Sequence, residues 1–401
     1  MKILVINAGS SSLKFTLYSM AQEKMLAKGQ VERIGLSNPV LKYQRHDGIG
    51  VEANVKVESY VDAIDTVSKK LLDKDVGVLE NLSEVQAIGH RVVHGGEQMT
   101  KPVIIDTHVK GVIRDCFTLA PLHNPPNMMG IEACEKMFPG VHNVAVFDTA
   151  FHQSMPPESY LYALPYELYT KYGIRRYGFH GTSHNYVAIS TAKFLGKPFS
   201  ELKLMTFHLG NGCSAAAISN GVVVDTSMGM TPLEGLVMGT RCGDIDPAIV
   251  IRLFNLGMTP DEIDKTLNKK SGLLGVGGIN SSDMRDIINA SEDGDQQALR
   301  ALRMFVSRIV KYAGSYYAIL GGVDAIVFTG GIGEYSAYVR KMVLDKISCL
   351  GFDLDVEKNE SCKGKAGIIT TKSSRNVAVV MPTNEELMIA RETLGVVANG
   401  K

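Results

Sequence analysis

Apolar positions along this chain follow two rhythms. Short, largely unbroken apolar runs occur at 3–6, 85–93, 141–147 and 325–328, and such runs predict strands buried on both faces. A longer rhythm spans 298–320, where Leu299, Leu302, Phe305, Val306, Ile309, Val310 and Ala313 recur at helical spacing until Gly321-Gly322, so it predicts one long helix with a glycine stop. Thr259-Pro260-Asp261-Glu262 and Thr383-Asn-Glu385-Glu386 read as capping boxes that open further helices. The second of these predicts a C-terminal helix ending near Gly395.

Two segments share one design. Lys2-Ile-Leu-Val-Ile-Asn7-Ala-Gly9-Ser10-Ser-Ser12-Leu-Lys14-Phe-Thr-Leu-Tyr18 is an apolar strand, a small polar turn and a second strand. Lys203-Leu-Met-Thr-Phe-His208-Leu-Gly210-Asn211-Gly212-Cys-Ser-Ala-Ala-Ala-Ile218 repeats that order. Further β material follows each, at 28–31 and 221–225, and Asn220-Gly221 is a strong hairpin signal. The pattern predicts an α/β protein carrying an ancient duplication, with one hairpin in each domain.

Length and composition sharpen this picture. A chain of 401 residues predicts two domains, placed here at 1–150 and 151–383, with a helix at 384–401 returning to the first. Hydrophobic residues at 45% and charged residues at 21% suit ordinary globular cores. Lys+Arg and Asp+Glu both number 42, which disfavours a general nucleic-acid binder. The apolar run at 3–6 is too short for a signal peptide, and no stretch approaches the ~20 apolar residues of a membrane span. Cys116, Cys134, Cys213, Cys242, Cys349 and Cys362 show no C-x-x-C spacing, as scattered thiols of a reducing compartment do. The expectation is a cytoplasmic protein without membrane or nucleic-acid partners.

The candidate chemistry lies in glycine-rich turns. Neither a G-x-x-x-x-G-K-[ST] P-loop nor a dinucleotide G-x-G-x-x-G fingerprint is present. Instead, turns at 7–12, at 208–212 and at Thr329-Gly-Gly-Ile-Gly333-Glu334 each follow an apolar strand. Such turns let backbone amides approach phosphate oxygens. Together they point to a nucleotide.

With these turns in view, the chain resembles the ASKHA phosphotransferases, and within them the acetokinase family. Asn7-Ala-Gly-Ser-Ser-Ser-Leu-Lys14-Phe resembles the first family signature, and Met228-Gly-Met-Thr-Pro232-Leu-Glu-Gly-Leu-Val-Met-Gly-Thr-Arg241-Cys-Gly-Asp244 the second. His90-Arg91-Val-Val-His-Gly-Gly96, Phe147-Asp148-Thr-Ala-Phe-His152, Arg176-Tyr-Gly-Phe179-His180-Gly-Thr-Ser-His184 and Pro382-Thr-Asn-Glu385-Glu386-Leu are similar too. The resemblance implies two ASKHA domains with a duplicated ribonuclease H-like core and an active-site cleft between them. It implies reversible, Mg²⁺-dependent transfer of the γ-phosphoryl group of ATP to acetate, giving acetyl phosphate and ADP, with Mn²⁺ able to substitute and a homodimer as the assembly. A propionate kinase is the alternative within the class. An ATP-driven Hsp70- or actin-like binding protein is the alternative outside it, although the chain has no spare length for a peptide-binding domain.

Individual residues carry these expectations. Arg91, in an otherwise apolar strand, and Arg241, among glycines, suit carboxylate and phosphoryl recognition because guanidinium binds both bidentately; a plain ion pair is the alternative for Arg91. The resemblance makes His180 a donor to transition-state oxygens, although a lone histidine is more often structural. His184 lacks a third nearby ligand for a metal pair. Asp148 ends an apolar strand, a frequent catalytic placement. A small carboxylic acid near the ~4.3 of a glutamate is already ionised at neutral pH, so Asp148 is expected to orient the Mg²⁺ shell or the donor rather than act as base. The resemblance assigns Asn7 and Glu385 to Mg²⁺, with helix-dipole compensation the alternative for Glu385. It assigns Val93, Leu122, Phe179 and Pro232 to a small apolar acid pocket. It assigns Ser10, Ser12, Lys14, His208, Leu209, Gly210, Asn211, Gly212, Asp283, Met284, Arg285, Gly331, Ile332, Gly333, Glu334 and Tyr335 to the nucleotide. Simple N-capping is the alternative at Asp283. Tyr335 stands where the family usually has asparagine.

Overall fold

The structure, a computed structural model, describes residues 1–399. The chain divides into two compact units, Met1–Phe151 together with the chain from Asn384 onward, and His152–Thr383.

In the first unit, β1 (Lys2–Gly9), β2 (Ser12–Ser19), β3 (Lys24–Glu32), β4 (Val40–Arg45), β5 (Gly50–Asn54), β6 (Val85–Val92), β7 (Val103–Ile104) and β8 (His142–Phe147) form an eight-stranded sheet in the order β5-β4-β3-β2-β1-β6-β8-β7. The turn Gly9–Ser12 sets the register of the first hairpin, so that Asn7 faces Lys14 and Gly9 faces Ser12. β6 runs parallel to both β1 and β8. Helices Tyr60–Leu71 and Asn124–Met137 bury Ile64, Val67, Leu71, Ala133 and Cys134 against Leu4, Ile6, Leu13 and Phe15 in one core.

The C-terminal helix packs on β6, β1 and β8. A Cβ at Gly89 would lie 2.4 Å from Thr393 Oγ1 and 2.7 Å from Ile389 Cγ2, so this glycine permits the close packing. The helix runs from Glu385 to Asn399, continuing through Gly395, where the sequence suggested a stop. Residues 400 and 401 lie outside the described residues. Its cap is also not the Thr383 box: Asn384 Oδ1 accepts from the Leu387 amide at 3.0 Å, and the Asn384 carbonyl accepts from Met388 at 3.1 Å. The Thr259 capping box is present as read.

In the second unit, β9 (Lys203–Leu209), β10 (Cys213–Ser219), β11 (Val222–Thr226), β12 (Ala325–Thr329), β13 (Gly367–Ile368) and β14 (Val377–Val380) form a sheet in the order β11-β10-β9-β12-β14-β13. β10 and β11 extend from β9 as antiparallel neighbours, whereas β12 and β14 run parallel. The long helix spans Gln296–Leu320, starting two residues early because Asp295 caps it, and Gly321 at φ +63° ends it.

The segment β3-β2-β1-β6-β8 and the segment β11-β10-β9-β12-β14 share strand order and directions. This is the ribonuclease H-like core present twice, the two-domain ASKHA architecture. Edge strands β4, β5 and β7 decorate the first copy and β13 the second.

Candidate active site

The first unit assembles its polar groups at the carboxyl ends of β6 and β8. Arg91 sits on β6 opposite Val146, and Asp148 follows β8 with its amide donating to Val92 O at 2.9 Å. The Arg91 guanidinium grips the Asp148 carboxylate through Nε–Oδ1 at 3.1 Å and Nη2–Oδ2 at 2.6 Å. The Asp148 side chain is 1% exposed and that of Arg91 is 22% exposed. Burial works against the Arg91 charge, yet the Asp148 and Glu385 carboxylates hold it more firmly charged than usual.

Glu385 opens the C-terminal helix beside this pair. Burial pushes its carboxyl up to about 7, with Asp148 and Glu386 adding to the rise and Arg91 and Lys14 opposing it. Glu385 thus feels the charge of both neighbouring carboxylates, and its own carboxylate is a hard oxygen donor of the kind a divalent cation takes. Asn7, half-buried at the end of β1, offers a further oxygen of the same kind. Behind them, Asn127 accepts from the Val93 amide at 3.1 Å and donates to Ala8 O at 2.7 Å. It thereby ties the end of β1 to the segment after β6.

The second unit places a histidine group beside its glycine turn. His180 lies in the left-handed region at φ 55° and precedes helix Gly181–Leu195. Its Nδ1 is 2.8 Å from Ser214 Oγ, and that hydroxyl is also 2.8 Å from His184 Nε2. His184 Nδ1 is 2.7 Å from Thr206 Oγ1. Both nitrogens of His184 are therefore occupied by hydroxyl groups, which closes it to a metal. The His180 and His208 rings stack at 4.4 Å, and His208 Nδ1 is 2.8 Å from Ser183 Oγ. A Cβ at Gly212 would lie 3.5 Å from both Arg241 Nη1 and His180 Cε1; glycine thus leaves the space between these two groups open. Arg241 Nη1 donates to Pro232 O at 3.1 Å, and burial lowers its pKa from the usual arginine value.

A cavity of about 880 Å³ in the same unit opens from this turn. Gly210, Asn211, Asp283, Met284, Arg285, Gly331, Ile332 and Tyr335 line it, all of them anticipated from the sequence. Asp283 also caps helix Met284–Glu292 and pairs with Arg285 at 2.6 Å. The third glycine turn is a short helix, Gly330–Tyr335. Gly330 enters it at φ +74°, where a Cβ would meet the Leu209 backbone at 2.8 Å.

Several anticipated residues stand elsewhere. Glu334 turns inward, accepting from the Gly330 amide at 3.0 Å and the Thr383 amide at 3.1 Å. Gly333, Leu209, Gly212 and His208 do not line the cavity, because Leu209 is buried in the core and His208 stacks on His180. Ser10, Ser12 and Lys14 belong to the first unit's hairpin, with Ser10 and Lys14 exposed. Of the apolar set, Val93 and Phe179 are buried, whereas Leu122 is 54% exposed. Val93 and Leu122 belong to the first unit, Phe179 and Pro232 to the second.

Sequence reasoning missed Ile288, Asn289 and Glu292 on the cavity wall. Spacings of three, four and seven from Arg285 put them on its helix face and could have revealed them. It also missed Ser214, Thr206 and Asn127, ordinary polar residues whose importance arises only from what folds beside them.

Comparison with known proteins bears on this arrangement. The profile of the acetokinase family matches residues 2–391. An acetate kinase of Methanosarcina acetivorans is 53% identical over 394 residues, covering 98% of this chain and 96% of its own. The crystal structure of Porphyromonas gingivalis acetate kinase superposes with a TM-score of 0.95 at 44% identity, covering 99% of each chain. A propionate kinase from Francisella tularensis superposes with a TM-score of 0.92 at 43% identity, covering 98% of this chain and 99% of its own. With a family profile and relatives that span nearly its whole length, the chain belongs to the acetokinase family.

Proposed function

We propose that this protein is an acetate kinase that moves the γ-phosphoryl group between ATP and acetate. The observation that carries this reading is its likeness, at 53% identity over 98% of the chain, to a protein named acetate kinase. The partly exposed, firmly charged Arg91 and the glycine-lined cavity of about 880 Å³ support it.

In the forward direction a carboxylate oxygen of acetate forms a bond to the γ-phosphorus while the bond from that phosphorus to the β,γ-bridging oxygen of ATP breaks. No proton need be removed, because the acid is already ionised near neutrality. Catalysis is then positioning and charge stabilisation. Arg91, aimed by Asp148, binds the acetate carboxylate. Arg241 and His180 donate to the equatorial phosphoryl oxygens, and the amides around Asn211 cradle the phosphates. The cavity between Asp283–Arg285 and Gly331–Tyr335 takes the nucleoside. Asn7 and Glu385 would hold Mg²⁺, which when bound neutralises phosphate charge. Asp148 acts as a positioning residue, since both its oxygens are engaged by Arg91.

Propionate is the second candidate acceptor, on the strength of the likeness to a propionate kinase. Assembly as a homodimer is supported by helix Ala248–Asn255, where no residue is buried and Ile249, Val250, Ile251 and Phe254 are exposed. Light scattering of Ile251→Asp beside the unaltered protein tests it; a monomer in both would refute it. The six free cysteines and the need for ATP support a cytoplasmic setting. Among the described residues no helix is long and apolar enough to cross a membrane.

The deciding experiment mixes protein, Mg²⁺, ATP and saturating acetate with hydroxylamine. Acyl hydroxamate should accumulate with ADP. Its absence for both acetate and propionate would reject the reading.

A further inference from the structure

His180 joins a chain of buried hydroxyls and a buried histidine whose proton count can be worked out. The chain runs from Thr206 Oγ1 to His184 Nδ1 at 2.7 Å, from His184 Nε2 to Ser214 Oγ at 2.8 Å, and from Ser214 Oγ to His180 Nδ1 at 2.8 Å. Thr206, His184 and Ser214 are each 0% exposed. Each hydroxyl has one proton to give, and a neutral imidazole has one N–H and one acceptor nitrogen. His184 is neutral, because burial, followed by the neighbouring His152 and His208, drives its pKa well below the usual histidine value. With His184 neutral, the protons along the chain can point in only two concerted ways.

In one pattern His180 donates from Nδ1 to Ser214, Ser214 donates to His184, and His184 donates to Thr206. The Thr206 proton is then left with Ala216 O at 3.5 Å, the outer limit of a hydrogen bond. In the other pattern Thr206 donates to His184 Nδ1, His184 Nε2–H donates to Ser214, and Ser214 donates to His180 Nδ1. Every buried hydroxyl proton then lies in a bond of 2.7 or 2.8 Å. A poorly satisfied buried donor is costly, which favours the second pattern.

The geometry points to Thr206, His184 and Ser214 as positioning residues that hold His180 as a neutral imidazole protonated at Nε2. With Nδ1 filled by the Ser214 proton, His180 cannot become an imidazolium unless the whole chain reverses. Its surroundings in this unit act in the same direction. His208 on β9 stacks on it at 4.4 Å, Arg241 stands opposite across Gly212, and His184 lies one helical turn away; the Cys213 thiol on β10 is held neutral by burial, its pKa pushed up to about 12. A second cation beside Arg241 is disfavoured. The consequence for phosphoryl transfer rests on the function proposed above: His180 would donate to the transferring group at any pH from 6 to 8, without titrating as free histidine does near 6.5.

Nitrogen-15 labelling of histidine with two-bond proton–nitrogen correlation reads the pattern directly on the unaltered, ligand-free protein, with His180→Asn used for assignment. His180 and His184 should both appear as neutral Nε2–H tautomers from pH 6 to 8. An Nδ1–H tautomer or an imidazolium at His180 at pH 7 would overturn the assignment. In turnover, Ser214→Ala should lower kcat about tenfold or more, as a misaligned catalytic group does, and give kcat a new inflection near pH 6.5. Ser214→Thr, which keeps the hydroxyl, should restore the flat profile. An unchanged flat profile in Ser214→Ala also overturns the proposal. If no acyl phosphate forms, the kinase reading falls while the tautomer result, read without turnover, still decides the proton chain.

Discussion

Asp148 accepts from Arg91 through both carboxylate oxygens, at 3.1 and 2.6 Å, while only 1% of its own side chain reaches solvent. A carboxylate held in this way aims the guanidinium and compensates part of its charge, so the two residues act as one device. The sequence led us to expect that Asp148 orients the metal shell or the phosphoryl donor; the geometry gives it Arg91 to orient.

For Asp148→Asn this implies a loss through Arg91. The amide keeps one acceptor but turns a donor toward the guanidinium N–H groups, so the fork is displaced. We expect kcat/KM for acetate to fall roughly 10²-fold, the scale of a 1 Å misplacement, with no acidic limb of the pH–rate profile disappearing. Loss of such a limb in the variant would identify Asp148 as a base instead.

Val93 is 4% exposed, and its amide is held by Asn127 at 3.1 Å. Val93→Ala should shift preference toward propionate, since one methylene in an apolar pocket discriminates by about 1–3 kcal/mol. Relative kcat/KM values for acetate and propionate measure this. Equal ratios in both proteins would remove Val93 from the acid pocket.

Tyr335 lines the large cavity and is 61% exposed. Its ring packs on Gly364, where a Cβ would come within 2.6 Å of the hydroxyl. Beneath it, the fully buried Arg340 donates to Gly333 O and Glu334 O at 2.8 and 3.0 Å and to Asn359 O and Cys362 O at 2.8 Å. The ring is therefore presented by a rigid support. Stacking on a base is worth about 1–3 kcal/mol and accepts any base, whereas an asparagine would read a base edge. Tyr335→Asn should raise the ratio of kcat/KM for ATP over GTP; an unchanged ratio would show that Tyr335 plays no part in base selection.

His90 gives the fold a pH dependence of its own. It is buried on β6, 2.7 Å from Asn143 Oδ1, and burial lowers its pKa to about 4 despite that bond. The folded state thus binds this proton less readily than the unfolded chain does near 6.5. The contribution is complete above about pH 6.5 and is lost as pH falls toward 4, on the order of 3 kcal/mol in all. Urea unfolding at pH 7 and 4.5 should show a smaller acid loss for His90→Gln than for the unaltered protein. Equal losses would mean that another group carries the acid sensitivity.

The duplication was legible because both copies of the hairpin carry the same local instructions: an unbroken apolar strand, a turn of small residues, and a second strand. The glycine turns themselves were legible for a similar reason, since each directly follows an apolar strand. Glu334 was misread because a motif names a residue without its direction. Its carboxylate turns inward because the Gly330 and Thr383 amides need an acceptor there. Thr383 was misread as a cap because its hydroxyl is taken by Ser183 at 2.8 Å, two hundred positions away in sequence.

By itself the sequence determined where the hairpin strands of both copies and the long helix lie, that the core occurs twice, and which residue types are available for anion chemistry. Those properties follow from local periodicity and turn chemistry, which residues close together in the chain carry. Only the tertiary structure decided that Asp148 grips Arg91, that burial beside Asp148 and Glu386 raises the Glu385 carboxyl, and that Ser214 links His180 to His184. Each of these pairings depends on strands and helices distant in sequence meeting side by side, and a hydrogen bond exists only where that meeting brings a donor within about 3 Å of an acceptor.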